Sequence, residues 1–167
     1  MYVWASVAHL ATPLGQMGVS ALPDEHATVV ALSTSLGEHS GFFLFPWHMD
    51  AKNAPPSATG PSGLVVYRPH TPTTLQPSQL GIEFGTELAE CILAAILLSW
   101  TAIAGYWSRV GFVGLVGITA ALTTNVSYWN WYGFPTSYTL GYSAIEVIGY
   151  FAAGLAIASL VPRRAAP

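Results

Sequence analysis

The 167 residues are enough for one compact domain, yet apolar residues make up 52% of them and charged residues only 8%, against roughly 25% charged in an ordinary soluble protein. The basic residues are Lys52, Arg68, Arg109, Arg163 and Arg164, and with a net charge of −3 they leave no basic face for nucleic acid. The single cysteine, Cys91, rules out an intrachain disulfide or a cysteine-based metal knuckle; with no cation near it in an apolar run, it reads as a packing residue.

The chain opens on MYVWASVAHLATPLG, apolar from its first residue and without the positive n-region of a signal peptide. Residues 1–15 are expected to form the outer half of a first membrane helix, truncated, because about 14 residues cannot cross a bilayer.

Residues 16–79 are expected to form an outward-facing cap. After Pro23, DEHATVVALSTSLG has acids in its first turn and Gly37 as a stop, which predicts a short helix over 24–36. GFFLFP (41–46) and GLVVYRP (63–69) are Gly-led, Pro-ended and rich in aromatic or β-branched residues, so they pair as two strands across the loop 50–62. Such a hairpin is marginal alone and must rest on the helix, on a membrane surface or on a partner. TPTTLQPSQ (71–79) is an extended connector.

Residues 80–161 hold three apolar segments: Leu80–Tyr106, Val110–Tyr128 and Ser137–Val161. Each can supply the roughly 20 residues of a membrane span. A turn at Ser108-Arg109 is expected between the first two, and GFPTS (133–137), with its Pro135, between the second and third. Arg109 and Arg163-Arg164 (within the tail 162–167) then share one side, which the positive-inside rule makes cytoplasmic. Aromatics crowd both ends of the spans: Tyr128 to Tyr138 outside, Trp100 to Phe112 inside.

The combination VWASVAHLATPLGQMG, GFFLFP, SGLVVYRP, EFGTELAE and TTNVSYWNWYGFP resembles a family of small, multi-pass bacterial membrane proteins of uncharacterised function. The similarity runs over nearly the whole chain. It implies more of the first helix upstream and a bacterial cytoplasmic membrane, and it brings no activity, cofactor or partner.

The chemistry is concentrated in GIEFGTELAEC. On a helix, Glu83, Glu87 and Glu90 fall within about 60° of arc. Gln76 and Gln79 extend this stripe toward water, while Ala94 and Leu97 continue it below. Glu83 reads as interfacial, whereas Glu90, two or more turns inside, is the hardest to assign to a solvated surface. Glu146 is the second intramembrane carboxylate, with Tyr142 and Tyr150 four residues to either side. His9 and Asn125 fall at similar depth; the NVS match at Asn125 lies too close to the membrane for glycosylation.

No Lys or Arg sits within any expected span to balance these acids, and a charge there costs at least about 2.5 kcal/mol. His9, Glu87, Glu90, Glu146 and Asn125 therefore form a candidate proton or cation cluster. Its charge can be relieved by protons, by His9 as imidazolium, or by a cation on an N/O ligand set that suits zinc, iron or manganese. Ordinary hydrogen bonding among helices is the structural alternative. The di-iron pattern is absent, since Glu87-Leu-Ala-Glu90 ends in Glu rather than His. His26, His39, His48 and His70 are scattered in the cap; PWHMD (46–50) is the densest group there and reads as an exposed loop.

Gly111, Gly114 and Gly117, then Gly149, are spaced as close-packing positions between helices, within the chain or with another subunit. The expected architecture is an all-α membrane protein: three transmembrane helices plus a truncated N-terminal helix, with a small outward-facing helix-and-β-hairpin cap. Two functions fit it. The leading one is a non-enzymatic accessory, assembly or structural component of a larger membrane complex or a homo-oligomer. Its alternative is a proton- or cation-handling protein using the carboxylate/histidine cluster. No cofactor is predicted, a single divalent metal being the alternative, and no catalytic pattern supports an enzyme.

Overall fold

The computed structural model describes residues 1–46, 60–72 and 74–163; most of these are helical, and two short strands form the only sheet among them. Helix α1 (Tyr2–Ala11) is followed by a 3-10 turn at Pro13–Gln16, α2 (Glu25–Leu36), β1 (Gly41–Phe45), β2 (Gly63–Tyr67) and α3 (Pro77–Ser99). Next come α4 (Tyr106–Ala121), a π-helical turn (Leu122–Val126), α5 (Ser127–Tyr132) and α6 (Thr136–Leu160). The chain divides into two compact units, one of residues 1–19 with 75–167 and one of residues 20–74.

In the smaller unit, Asp24 caps α2 by accepting from the Ala27 amide at 2.9 Å, and Gly37, at φ +53°, stops the helix in a conformation that favours glycine. The strands pair antiparallel in the register Gly41 with Tyr67, Phe43 with Val65 and Phe45 with Gly63. Two side chains tie the hairpin to the end of α2: the Tyr67 hydroxyl donates to the Gly37 carbonyl at 3.1 Å, and His70 meets Glu38 at 2.7 Å. No residue of α2 is buried, so the hairpin is held at its rim and not over an apolar core. Trp47 to Asp50 of PWHMD, together with Lys52 and Arg164, lie outside the described residues.

The larger unit contains two helices long and apolar enough to cross a membrane, Tyr106–Tyr132 and Thr136–Leu160. Helix α3 is of similar length but carries Glu83, Glu87 and Glu90; α1, at 10 residues, is about 15 Å long at 1.5 Å per residue. Ala94 and Leu98 of α3, Val113 of α4, and Tyr150, Ala153 and Ile157 of α6 form the buried core. Glycines bring α4 and α6 together: a Cβ on Gly114 would lie 2.4 Å from the Phe151 ring, and one on Gly117 would lie 2.4 Å from the Tyr150 Cβ. Gly149 faces Trp4 of α1, where a Cβ would come to 3.3 Å.

Several expectations need correction. The first helix pair does not turn at Ser108-Arg109. Helix α3 begins at Pro77, ends at Ser99, and is joined to α4 by residues 100–105, which puts Arg109 in the first turn of α4. The Arg109 side chain, 1% exposed, does not serve as a loop charge. Its guanidinium donates to the carbonyls of Ala158 (3.1 Å), Ile103 (3.1 Å) and Val161 (2.6 Å), tying the end of α6 to the start of α4. Gly111 packs against nothing within 4 Å, because it lies roughly 100° around α4 from the line of Val110, Val113, Gly117 and Ala121. Its place in the close-packed set goes to Gly154, where a Cβ would meet the Val110 carbonyl at 3.2 Å. On α3 the inward stripe runs through Ala94 and Leu98, whereas Leu97 faces outward at 39% exposure.

Candidate functional site

All five residues of the candidate cluster, His9, Glu87, Glu90, Asn125 and Glu146, line one cavity of about 250 Å³ in the larger unit. Four elements position them. Helix α1 supplies His9 and Trp4, α3 the three glutamates, the π-helical turn Asn125, and α6 Tyr142 and Glu146.

Local sequence explains each placement. Gln79 accepts from the Gln76 amide at 2.9 Å, which closes the first turn of α3 and uses Gln79 as a cap instead of a continuation of the acidic stripe. From that start, Glu83, Glu87 and Glu90 share a face by helical spacing, and α1 packs against α3 along it. Burial does not follow depth along the helix. Glu87 is 9% exposed, Glu90 is half-buried and Glu83 is exposed. The difference lies in the neighbour: α1 brings Met1, Trp4 and Ala5 to the same cavity wall.

The π-helical turn at Leu122–Val126 adds one residue to a turn of the long helix and carries Asn125, which is buried, toward α6. The Asn125 amide donates to Glu146 Oε2 at 3.1 Å. Glu90 interacts with the Tyr150 hydroxyl and, electrostatically, with Glu146. Glu87 is different. Its Oε2 is buried and has no hydrogen-bond partner. The α-amino group of Met1 acts on Glu87 electrostatically but forms no ion pair with it among the described residues.

An aromatic ladder leads to this acidic wall. Phe134 packs edge-on against Tyr138 at 5.1 Å, Tyr138 stacks on Tyr142 at 4.2 Å, and Tyr142 meets the His9 ring at 5.5 Å. Beside it, along the same pair of helices, the Trp4 indole N–H donates to the Ile145 carbonyl at 2.8 Å, which fixes the ring at the cavity. Sequence reasoning missed Trp4. Its signal was the spacing of Trp4, Ala5, Ala8 and His9, which places them on one face of a helix.

Asn125, Glu146 and Glu90 satisfy one another or a tyrosine, so part of the cluster is a hydrogen-bonded network. Among the described residues no three His, Cys, Asp or Glu side chains converge closely enough to hold a metal ion. The N/O ligand set expected for zinc, iron or manganese is therefore not assembled, because helical spacing distributes the glutamates along the wall of the cavity instead of around a point. Comparison of the chain with protein-family models, with curated proteins and with solved structures finds no match in any of the three.

Proposed function

We propose that this chain is an integral membrane protein whose helices line an acidic cavity for a proton or cation. Membrane integration is supported by the two long apolar helices and by how little of them is covered: 33% and 39% of their most apolar stretches are buried, whereas the core helix of a soluble protein is mostly buried. Leu115, Leu140 and Leu160 stand out from these helices at 61%, 61% and 79% exposure, a surface suited to lipid and unsuited to water. Helix α3 is read as the third span, its acidic face turned to the cavity. Arg163, just beyond the end of α6, favours a cytoplasmic location for that end, with residues 20–74 outside.

The observation that carries the functional reading is Glu87 Oε2, a buried acceptor with no partner on the wall of a cavity. A buried carboxylate oxygen left unpaired costs more than an ordinary hydrogen bond returns, so a polar group or ion arriving there gains what the protein does not supply. The accessory-subunit reading keeps one support: an apolar groove lined by Val7, Cys91, Ala153, Ala156 and Leu160, which suits another helix.

The test is chemical protection. The full chain in lipid nanodiscs is treated with dicyclohexylcarbodiimide, and labelling at Glu87 is followed by mass spectrometry, with Glu87→Gln as the blank. Slower labelling when sodium, potassium, ammonium or an alkylammonium salt is added supports a cation site. Labelling indifferent to every cation and to pH overturns it and leaves the accessory reading.

A further inference from the structure

Resting on that reading, we propose that the occupant of the cavity is a small protonated alkylamine, held by its N–H donors on Glu87 and by its carbon chain against Trp4 and Tyr142. Four independent features select this chemistry over an inorganic ion. First, the carboxylates are strung along the wall without a point where three ligands meet, so a bare ion finds no cage to replace its water shell. Second, the unpaired atom is an acceptor, Glu87 Oε2, 9% exposed as a residue, and it calls for a donor. An ammonium group carries several N–H donors; a quaternary ammonium has none.

Third, two aromatic side chains line the same cavity, and both are fixed in place, Trp4 by its bond to the Ile145 carbonyl and Tyr142 by stacking on Tyr138. Aromatic walls suit alkyl carbons and attract an organic cation by its charge. Fourth, the size fits. A cavity of about 250 Å³ holds several water-sized groups, which is room for a short aliphatic amine or diamine. Glu83, Glu90 and Glu146 line the same cavity and give a second positive charge somewhere to go, which favours a diamine over a monoamine.

Thermal unfolding of the full chain in nanodiscs, at constant ionic strength, measures the preference, because a ligand that binds only the folded state raises the midpoint with concentration. The probes are 1,4-diaminobutane, n-butylamine, tetramethylammonium chloride, sodium chloride and magnesium chloride. The expected result is a concentration-dependent rise with diaminobutane, a smaller one with butylamine, and none with the other three. Glu87→Gln is expected to abolish the rise, and Tyr142→Leu to require about tenfold more amine for the same shift. Should either variant fail to fold, the ranking of probes on the unsubstituted chain decides alone. A rise as large with sodium, magnesium or tetramethylammonium overturns the amine proposal and leaves the cation site standing. No rise with any probe, together with cation-indifferent carbodiimide labelling, overturns both.

Discussion

Two charged side chains are buried in the helical unit, and they are treated in opposite ways. At one end Arg109, 1% exposed, places Nε, Nη1 and Nη2 on three backbone carbonyls. At the other, Glu87, 9% exposed, leaves Oε2 without a partner beside a cavity. Both burials carry a desolvation penalty, and only the first leaves no buried polar atom without a hydrogen-bond partner. A structural charge is recognised by its partners, whereas a side chain kept for binding is recognised by the partner it lacks.

Substitutions at the two ends test this contrast. The largest effect is expected for Arg109→Ala, which removes three charge-assisted hydrogen bonds and frees the end of α6; a loss of about 3–5 kcal/mol should appear in denaturant unfolding in mild detergent. Next is Gly117→Ala, whose new methyl would meet the Tyr150 Cβ at 2.4 Å. Moving two helices apart should cost about 1–3 kcal/mol, while Gly111→Ala, facing open space, should be neutral or slightly stabilising by the same assay. Trp4→Phe keeps an aromatic wall and loses the bond to Ile145, for about 1 kcal/mol. Smallest of all is Glu87→Gln, within about 1 kcal/mol of the parent and on the stabilising side, because it removes a buried charge that the chain leaves unpaired. A Glu87→Gln loss as large as that of Arg109→Ala would mean that Glu87 is a structural charge too, and the contrast would fail.

Much of the outline was legible along the chain. Asp24 and Gly37 marked the ends of α2, the two Gly-led apolar runs marked the hairpin, and Pro135 marked the start of α6. These signals are local: a cap, a stop or a turn acts on backbone within a few residues. Helical spacing likewise put the three glutamates on one face. The link from α3 to α4 was misplaced because Arg109 looked like a loop residue by its charge, and only the carbonyls of Ala158 and Val161, some fifty positions away, make its burial tolerable. The π-helical turn was equally hidden. Nothing in LTTNV distinguishes it from α-helix until Asn125 has Glu146 to meet.

Composition and periodicity alone determined that this is a mostly helical chain with an acidic stripe on one long helix. They do so because hydropathy and helical repeat are properties of residues near one another in sequence. Which glutamate is buried, which glycines are in contact, and that Trp4 and Tyr142 line the same cavity as the carboxylates were decided by tertiary packing. Burial depends on what lies opposite. For Glu87 that is α1, separated from it by the whole of residues 20–74 and brought back only by the fold.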